Sequence, residues 1–553
     1  MLSNFDWIII GFYFLILLSI VFFASRNQKT STDYFLAGRN VGFFAIGASI
    51  FASNIGSEHI IGLAGQGAST GLAMAHYELH AWIVVLLAWI FVPFYYRSKV
   101  FTMPEFLEKR FGQEPRWILS IVSLTAYVLT KVSVTVYAGA LVFETLLPDT
   151  FGSPENAFWI GAISTVTLTG LYTIAGGLRA VLFTDSLQAT ILILGSCAIT
   201  YFGLEKLGGF NELQTFASQN VAQYALWRPL SDPNFPWLGI LIASPIVGIW
   251  YWCTDQYIVQ RTLAAKNLKA ARRGALWGAF LKIWPVLIFL IPGLIGAALN
   301  DKGLLNISTN TDGSLIGDHV FPSMVATLLP EGLRGLVVAG ILAALMSSLS
   351  SLFNSTATLF TFDVYKKLRP MVTDAKLIVI GRIATLVIVI LGLLWIPIMP
   401  MISKGGLYQY LQSVQSYLAP PITAVFLLGL FNNRINNQGA TWGLSIGFIL
   451  GMLKLVIQAF FGAEKISNPT ILSMIGDFNF LYFSGVLFLI SVVIIILVSY
   501  KTSPPDQQKI HGLTFSTIDH EVIRSSWNTK DVVATIIILG LVATLYIYFS
   551  FWI

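Results

Sequence analysis

The segment IFASNIGSEHIIGLAGQGASTG, residues 50–71, is apolar at both ends yet carries Asn54, Glu58 and His59 at its centre. Further ionisable side chains fall inside other apolar runs: Glu78, Lys131, Asp185, Asp255, Lys282 and Lys454. A charge at bilayer depth costs about 2.5 kcal/mol or more, so each must face a partner, an ion or a water-filled cavity. One such residue alone reads equally well as an internal ion pair fixing helix packing; several together favour a polar cavity. A second chemistry is carried by AALMSSLSSLFNS. There Ala344, Ser347 and Ser348 have i, i+3, i+4 spacing, and Ser347, Ser350 and Ser351 repeat it a turn later, so hydroxyls cluster along one strip of a helix. Such strips commonly serve close packing. They also offer the several oxygens a hard cation such as sodium requires, with Asp185 of LFTDSLQ as the charge. A third group joins rings to hydrogen-bonding side chains: Tyr77 beside Glu78, Tyr251 and Trp252 in IWYWCTDQ, and Tyr408 with Gln412 in YQYLQSVQSY. Aromatic residues in membrane proteins often form interfacial belts; set among acid, amide and amine groups, they suit a polyol, whose hydroxyls bond to the polar groups while the rings cover its C–H face.

These residues need membrane helices to hold them. Of 553 residues 56% are hydrophobic and 11% charged, against about 25% charged in a soluble domain, and mean hydropathy is +0.74. Apolar runs long enough to cross a bilayer recur throughout, about fourteen in all, with no soluble domain between them. Most of the 33 Lys and Arg lie in the set of loops containing YYRSKVFTMPEFLEKRFGQEPR, QRTLAAKNLKAARR, YKKLRPMVTDAK and YKTSPPDQQKI. The positive-inside rule places that set in the cytoplasm and both termini outside. The net charge of +6 comes mainly from these loops and does not call for nucleic acid. The first apolar run lacks a basic leader and a cleavage site and reads as a retained helix. Cys197 and Cys253, both inside spans, provide no disulfide framework and no Cys-rich metal site.

Two spans are interrupted. The second holds the polar and glycine stretch from Asn54 to Gly65, and the seventh holds Pro245 and Gly248 ahead of IWYWCTDQ. Unwound helices at matching places in two halves are the sequence sign of an inverted-repeat transporter with a midplane site. No linker divides the chain, which reads as one membrane transport domain over 1–553. It comprises an extra helix and loop at 1–40, a core at 41–432, and extra helices at 433–553 around a cytoplasmic loop at 501–530 that precedes a last, separate helix.

The motifs ASNIGSEHIIGLAG, TMPEFLEKRFG, GGLRAVLFTDSLQ, WYWCTDQYIVQRTLAAKN, LMSSLSSLFNSTATLFTFDVYKK and YLAPPITAVFLLGLF follow one another in order. Through them the chain resembles, over nearly its whole length, the sodium/glucose cotransporters of the solute:sodium symporter family. The resemblance implies an all-α polytopic membrane protein of LeuT type, with two inverted five-helix repeats formed by the second to eleventh spans. It implies a sugar site on Asn54, His59, Glu78, Tyr251, Trp252, Lys282 and Gln412. Outer gating groups correspond to Leu63, Tyr77 and Tyr408, and Tyr251 to an inner gate stacked under the sugar. Sodium is the implied coupling ion. Its common site corresponds to the backbone of Ala52, Ile55 and Ala344 with the hydroxyls of Ser347 and Ser348; a second site corresponds to Asp185 with Ser53, Ser347, Ser350 and Ser351. Because all those oxygens are present, two sodium ions per sugar are expected.

Two positions depart from that pattern. Gly248 stands where the sugar transporters carry Thr or Asn, so a hydroxyl contact is missing, and Glu58 stands where animal glucose carriers have Gly. There is no GxxxxGK[ST] loop and no paired metal-binding His motif, which argues against an enzyme and against an ATP-driven pump. The rival reading from another class is a sodium-dependent sugar sensor, against which stand the absence of an appended regulatory domain and the presence of Lys282, Gln412 and both sodium constellations. Among substrates a glucose- or galactose-like hexose comes first and myo-inositol or another polyol second. Sialic acid is disfavoured because no Arg lies near the site to pair its carboxylate.

Overall fold

The computed structural model describes residues 2–26, 28–56, 58–148, 150–310, 313–398, 407–461, 470–518 and 520–553. Among them the chain is helical, without a β-strand, and eleven helices are long and apolar enough to cross a membrane. The larger number of passes expected from the sequence is recovered from two sources. Helix Pro154–Leu207 has 54 residues, which at 1.5 Å per residue makes about 80 Å against a hydrocarbon core of about 30 Å. It divides at Gly177, whose φ of 51° with ψ −156° belongs to glycine. Glu58–Ser98 likewise holds parts of two passes, separated at Gly71 with φ 66°. Other passes are assembled from shorter pieces, such as Phe43–Asn54 and Ser133–Leu146.

For the functional argument we label α1 (Asn4–Ala24), α2 (Phe43–Asn54), α3 (Ala64–Thr70), α4 (Pro154–Leu207), α5 (Trp237–Ile249), α6 (Gln256–Leu263), α7 (Leu268–Leu281), α8 (Ile291–Asp301), α9 (Leu333–Leu359), α10 (Leu407–Phe431) and α11 (Thr529–Ser550).

The second span breaks where the sequence suggests. α2 ends at Asn54, Ile55 is extended (φ −88°, ψ 90°), and the chain resumes as a wide π-helical turn over Glu58–Leu63 before α3. The seventh span breaks later than its Pro and Gly suggest. α5 runs through Pro245 and Gly248, a π-helical turn covers Trp250–Thr254, and the extended residue is Asp255 (φ −78°, ψ 128°). The reason is local hydrogen bonding. A proline removes one backbone bond, which a membrane helix tolerates, whereas the Asp255 carboxylate accepts the Tyr257 N–H (3.2 Å) and so caps the new helix α6.

Glycines set how close the broken second span comes to the eighth. A Cβ on Gly47 of α2 would lie 2.6 Å from the Gly274 carbonyl oxygen of α7, and one on Gly278 would meet Ile50 at 2.9 Å. Beyond the break, a Cβ on Gly293 of α8 would lie 1.8 Å from the Ala64 carbonyl oxygen, and one on Gly67 of α3 2.2 Å from that of Leu290. Without a hydrophobic drive between helices in lipid, such small-residue contacts are what permit backbones to approach. They bring Lys282, just past the end of α7, to the end of α2.

The outer elements are fastened to this core. Asp6 of α1 accepts the backbone N–H groups of Gly332 and Gly335 at 2.8 Å each and pairs with Arg334 at 3.1 Å. The last helix α11, expected to stand apart, docks: Asp531 pairs with Arg273 at 2.7 Å and Thr535 accepts from the Trp89 indole at 2.9 Å.

Candidate functional site

The break after α2 leaves the Asn54 side chain between three neighbours. Its carbonyl oxygen accepts from Lys282 Nζ at 2.9 Å and its amide nitrogen donates to Tyr251 Oη at 3.2 Å and lies 3.4 Å from His59 Nε2. Lys282 Nζ also donates to Glu78 Oε2 at 2.5 Å, and Tyr408 Oη donates to Glu78 Oε1 at 2.5 Å. The Trp252 ring lies 5.4 Å from the Lys282 ammonium. His59 stands between two acids, with Nε2 3.8 Å from Glu78 Oε1 and Nδ1 3.7 Å from Glu58 Oε1. Residues separated by hundreds of positions thus form one network, held by the second, third, seventh, eighth and eleventh spans.

All seven expected sugar ligands, Asn54, His59, Glu78, Tyr251, Trp252, Lys282 and Gln412, line a single cavity. Tyr77 and Tyr408 line it as well; Leu63 is fully buried but outside the lining. The cavity encloses about 40 Å³, room for a few waters and not for a hexose. A solute of hexose size would fit only if groups that here bond to one another part. Three buried polar atoms of the lining have no hydrogen-bond partner among the described residues, His59 Nδ1, Tyr77 Oη and Gln412 Oε1. Hydroxyl groups, which both donate and accept, match such a lining.

The remaining buried charges are paired or hydrogen-bonded, and two of them, Lys131 and Glu58, also line the cavity. Lys131 pairs with Asp255, to which Tyr127 also donates. Its ammonium sits among the rings of Tyr127, Trp250, Tyr251 and Tyr257 at 4.5–5.1 Å. This pair braces the break in the seventh span directly beneath Tyr251. Glu58 accepts from Thr135 Oγ1 at 3.2 Å and lines the cavity. Lys454 lies elsewhere, donating to the Gly476 carbonyl at 2.5 Å.

Below the cavity the α9 hydroxyls meet α2 and α4. Asp185 accepts from Ser347 Oγ at 2.6 Å, Ser49 Oγ at 2.5 Å and Ser53 Oγ at 3.4 Å. Ser53 Oγ lies 2.8 Å from Ser351 Oγ, Ser350 Oγ donates to the Ser347 carbonyl at 3.0 Å, and Ser348 Oγ donates to the Ser53 carbonyl at 3.2 Å. The break also redirects backbone groups. The N–H donors that a regular helix would bring to the carbonyls of Ala52 and Ile55 are those of Gly56 and His59, and they bond instead to Asn54 O (3.2 Å) and Gly56 O (3.0 Å). Neither carbonyl thus receives its regular helical donor, and released carbonyls together with hydroxyls are an oxygen set suited to a hard cation. Ser49 and the buried Arg261, whose Nε is 3.4 Å from Ser49 Oγ, belong to this region and were not singled out in the sequence. Ser49 lies one helical turn before Ser53, and that spacing was the available signal.

A bundle of membrane helices, two of them broken around a closed polar cavity with oxygen-lined positions alongside, is the architecture of a secondary transporter. The comparisons specify which. The sodium:solute symporter family matches residues 34–447. A zebrafish (Danio rerio) sodium/glucose cotransporter 4 is 38% identical over 541 residues, covering 93% of this chain and 81% of its own. The human (Homo sapiens) sodium/myo-inositol cotransporter 2 is 38% identical over 547 residues, covering 94% and 80%. A substrate-bound outward-open Na+-coupled sialic acid symporter superposes with a TM-score of 0.75 at 23% identity, covering 91% of this chain and 99% of its own. The chain belongs to the sodium:solute symporter family. It is a multi-pass, sodium-coupled membrane transporter with the LeuT-type fold, not an enzyme.

Proposed function

We propose that the protein accumulates a hexose of the glucose or galactose type by alternating access, with two sodium ions moving per sugar, in the plasma or inner membrane with both termini outside. The observation that carries this reading is the meeting of Asn54, Glu78, Lys282 and Gln412 in one cavity between the two broken spans. In that cavity acid, amine and amide groups hold the sugar hydroxyls, Trp252 and Tyr251 pack against its C–H surface, and Tyr77, Tyr408 and the buried Leu63 close it from outside. The inverted-repeat core covers 41–432, flanked by the extra segments at 1–40 and 433–553. The common sodium is held by the carbonyls of Ala52, Ile55 and Ala344 with Ser347 and Ser348. The second is held by Asp185 with Ser53, Ser347, Ser350 and Ser351. Because Asn54 is flanked in the chain by residues assigned to the ions, Ser53 and Ile55, sodium binding orders the segment that presents Asn54 to the sugar, and by linkage the sugar tightens sodium equally. A relative named for myo-inositol at 38% identity makes that polyol the second candidate.

The test is uptake of labelled glucose into proteoliposomes, with galactose and myo-inositol as competitors. Uptake is expected to collapse when potassium replaces sodium, and galactose to compete. Stronger competition by myo-inositol transfers the assignment to that polyol. Sodium-dependent binding without accumulation contradicts transport.

A further inference from the structure

We propose that His80 is a substrate-binding residue that selects among polyols by hydrogen-bonding one particular hydroxyl. This rests on the polyol reading and adds a ligand to it. His80 is buried, lies two residues beyond Glu78, and lines the same cavity as Gly248. The two positions compete for one volume. A Cβ on Gly248 would lie 2.9 Å from His80 Cε1, 3.0 Å from His80 Nδ1 and 2.3 Å from Ile83 Cδ1. The missing side chain at 248 is therefore what lets an imidazole from the third span form this part of the wall.

The ring's orientation follows from its other nitrogen. His80 Nε2 lies 2.6 Å from Ser244 Oγ, one turn before Gly248 on α5. Ser244 Oγ also lies 3.3 Å from the His76 carbonyl, to which it can donate. With Nε2 engaged by Ser244, Nδ1, at the Gly248 wall, is the ring atom left to bond a substrate hydroxyl. Tyr77, with its ring centroid 5.7 Å from the imidazole, packs beside it. A site built to hydrogen-bond a substrate hydroxyl rejects the analogue that lacks it, so a substrate bearing a hydroxyl at Nδ1 is favoured over one without it. Gly248 thus does not simply lose a contact; His80 puts a ring nitrogen where a hydroxyl or amide would stand and changes which substrate hydroxyl is read.

The experiment compares uptake of the transported sugar and its series of monodeoxy analogues by wild type, His80→Phe, His80→Asn and Gly248→Ala. For wild type one analogue is expected to be rejected much more strongly than the rest. His80→Phe should raise the half-saturation for the parent sugar by about tenfold or more and accept that analogue as well as the parent, with sodium half-saturation unchanged when measured without sugar or at saturating sugar. His80→Asn, which retains an acceptor, should restore part of the discrimination. Gly248→Ala, which displaces the ring without altering it, should shift the profile in the same direction as His80→Phe and serves where the latter fails to fold. An unchanged deoxy profile in both His80→Phe and Gly248→Ala overturns the assignment while leaving the polyol reading intact. Absence of any polyol uptake by wild type overturns both.

Discussion

Lys282→Met is expected to abolish sugar accumulation while sodium binding persists. The ammonium donates to both Asn54 and Glu78 inside the cavity, so its loss removes one charged ligand for the sugar and strands a buried carboxylate. A hydrogen bond to a charged group contributes about 1.5–3 kcal/mol, which alone predicts at least a tenfold rise in sugar half-saturation. Breaking a buried ion pair costs about 3–5 kcal/mol in addition, because the carboxylate loses its ammonium and keeps only the Tyr408 hydroxyl and the more distant His59. The single variant should therefore also melt at a lower temperature. Pairing it with Glu78→Gln removes the stranded charge, and the double variant is expected to recover much of the lost stability but none of the transport. Recovery of transport in the double variant would show that Lys282 and Glu78 merely neutralise each other and that the sugar is held elsewhere. Gln412→Ala should act in the same direction and less severely, since Gln412 carries no charge.

Asp185→Asn is expected to remove one coupling ion and leave the other. The carboxylate gathers Ser49, Ser53 and Ser347, and an amide in its place offers one acceptor oxygen and no charge. Sodium half-saturation should rise by tenfold or more, which corresponds to about 1.4 kcal/mol per factor of ten, and the charge moved per sugar should fall from two to one. Ser348→Ala addresses the other site. Its hydroxyl reaches the Ser53 carbonyl, next to the released carbonyl of Ala52, so its removal should impair transport in the wild-type background and further in Asp185→Asn. Wild-type coupling in the Ser348→Ala, Asp185→Asn double variant would remove both sodium assignments.

Local pattern and long-range packing contributed differently to what could be foreseen. The hydroxyl strip of α9 was legible because its members share one helix face, and the break after Asn54 was legible because three polar residues interrupt an apolar run. Resemblance to a family, and not spacing, is what gathered Glu78, Lys282 and Gln412. The approach of Lys282 to Asn54 depends on the close glycine contacts of Gly47 with Gly274 and of Gly67 with Leu290, which no period in the sequence encodes. The position of the second break was misjudged because Pro245 and Gly248 look like breakers in isolation. The capping bond of Asp255 and its pairing with Lys131 decide the matter instead. His80 and Ser49 escaped notice for a related reason: each takes its place from partners on another helix, Ser244 for the one and Asp185 with Arg261 for the other.

The measurement that tests the central claim most directly is the accumulation ratio of the sugar in proteoliposomes with equal sodium on both sides and the membrane potential as the only driving force. Each inward charge supplies about 2.3 kcal/mol per 100 mV, so at about 60 mV, inside negative, each sodium should concentrate the sugar about tenfold. Two-sodium symport predicts a ratio of about one hundred at that voltage, falling to one when the potential is dissipated. A ratio that stays at one whatever the voltage would contradict sodium-coupled electrogenic sugar transport.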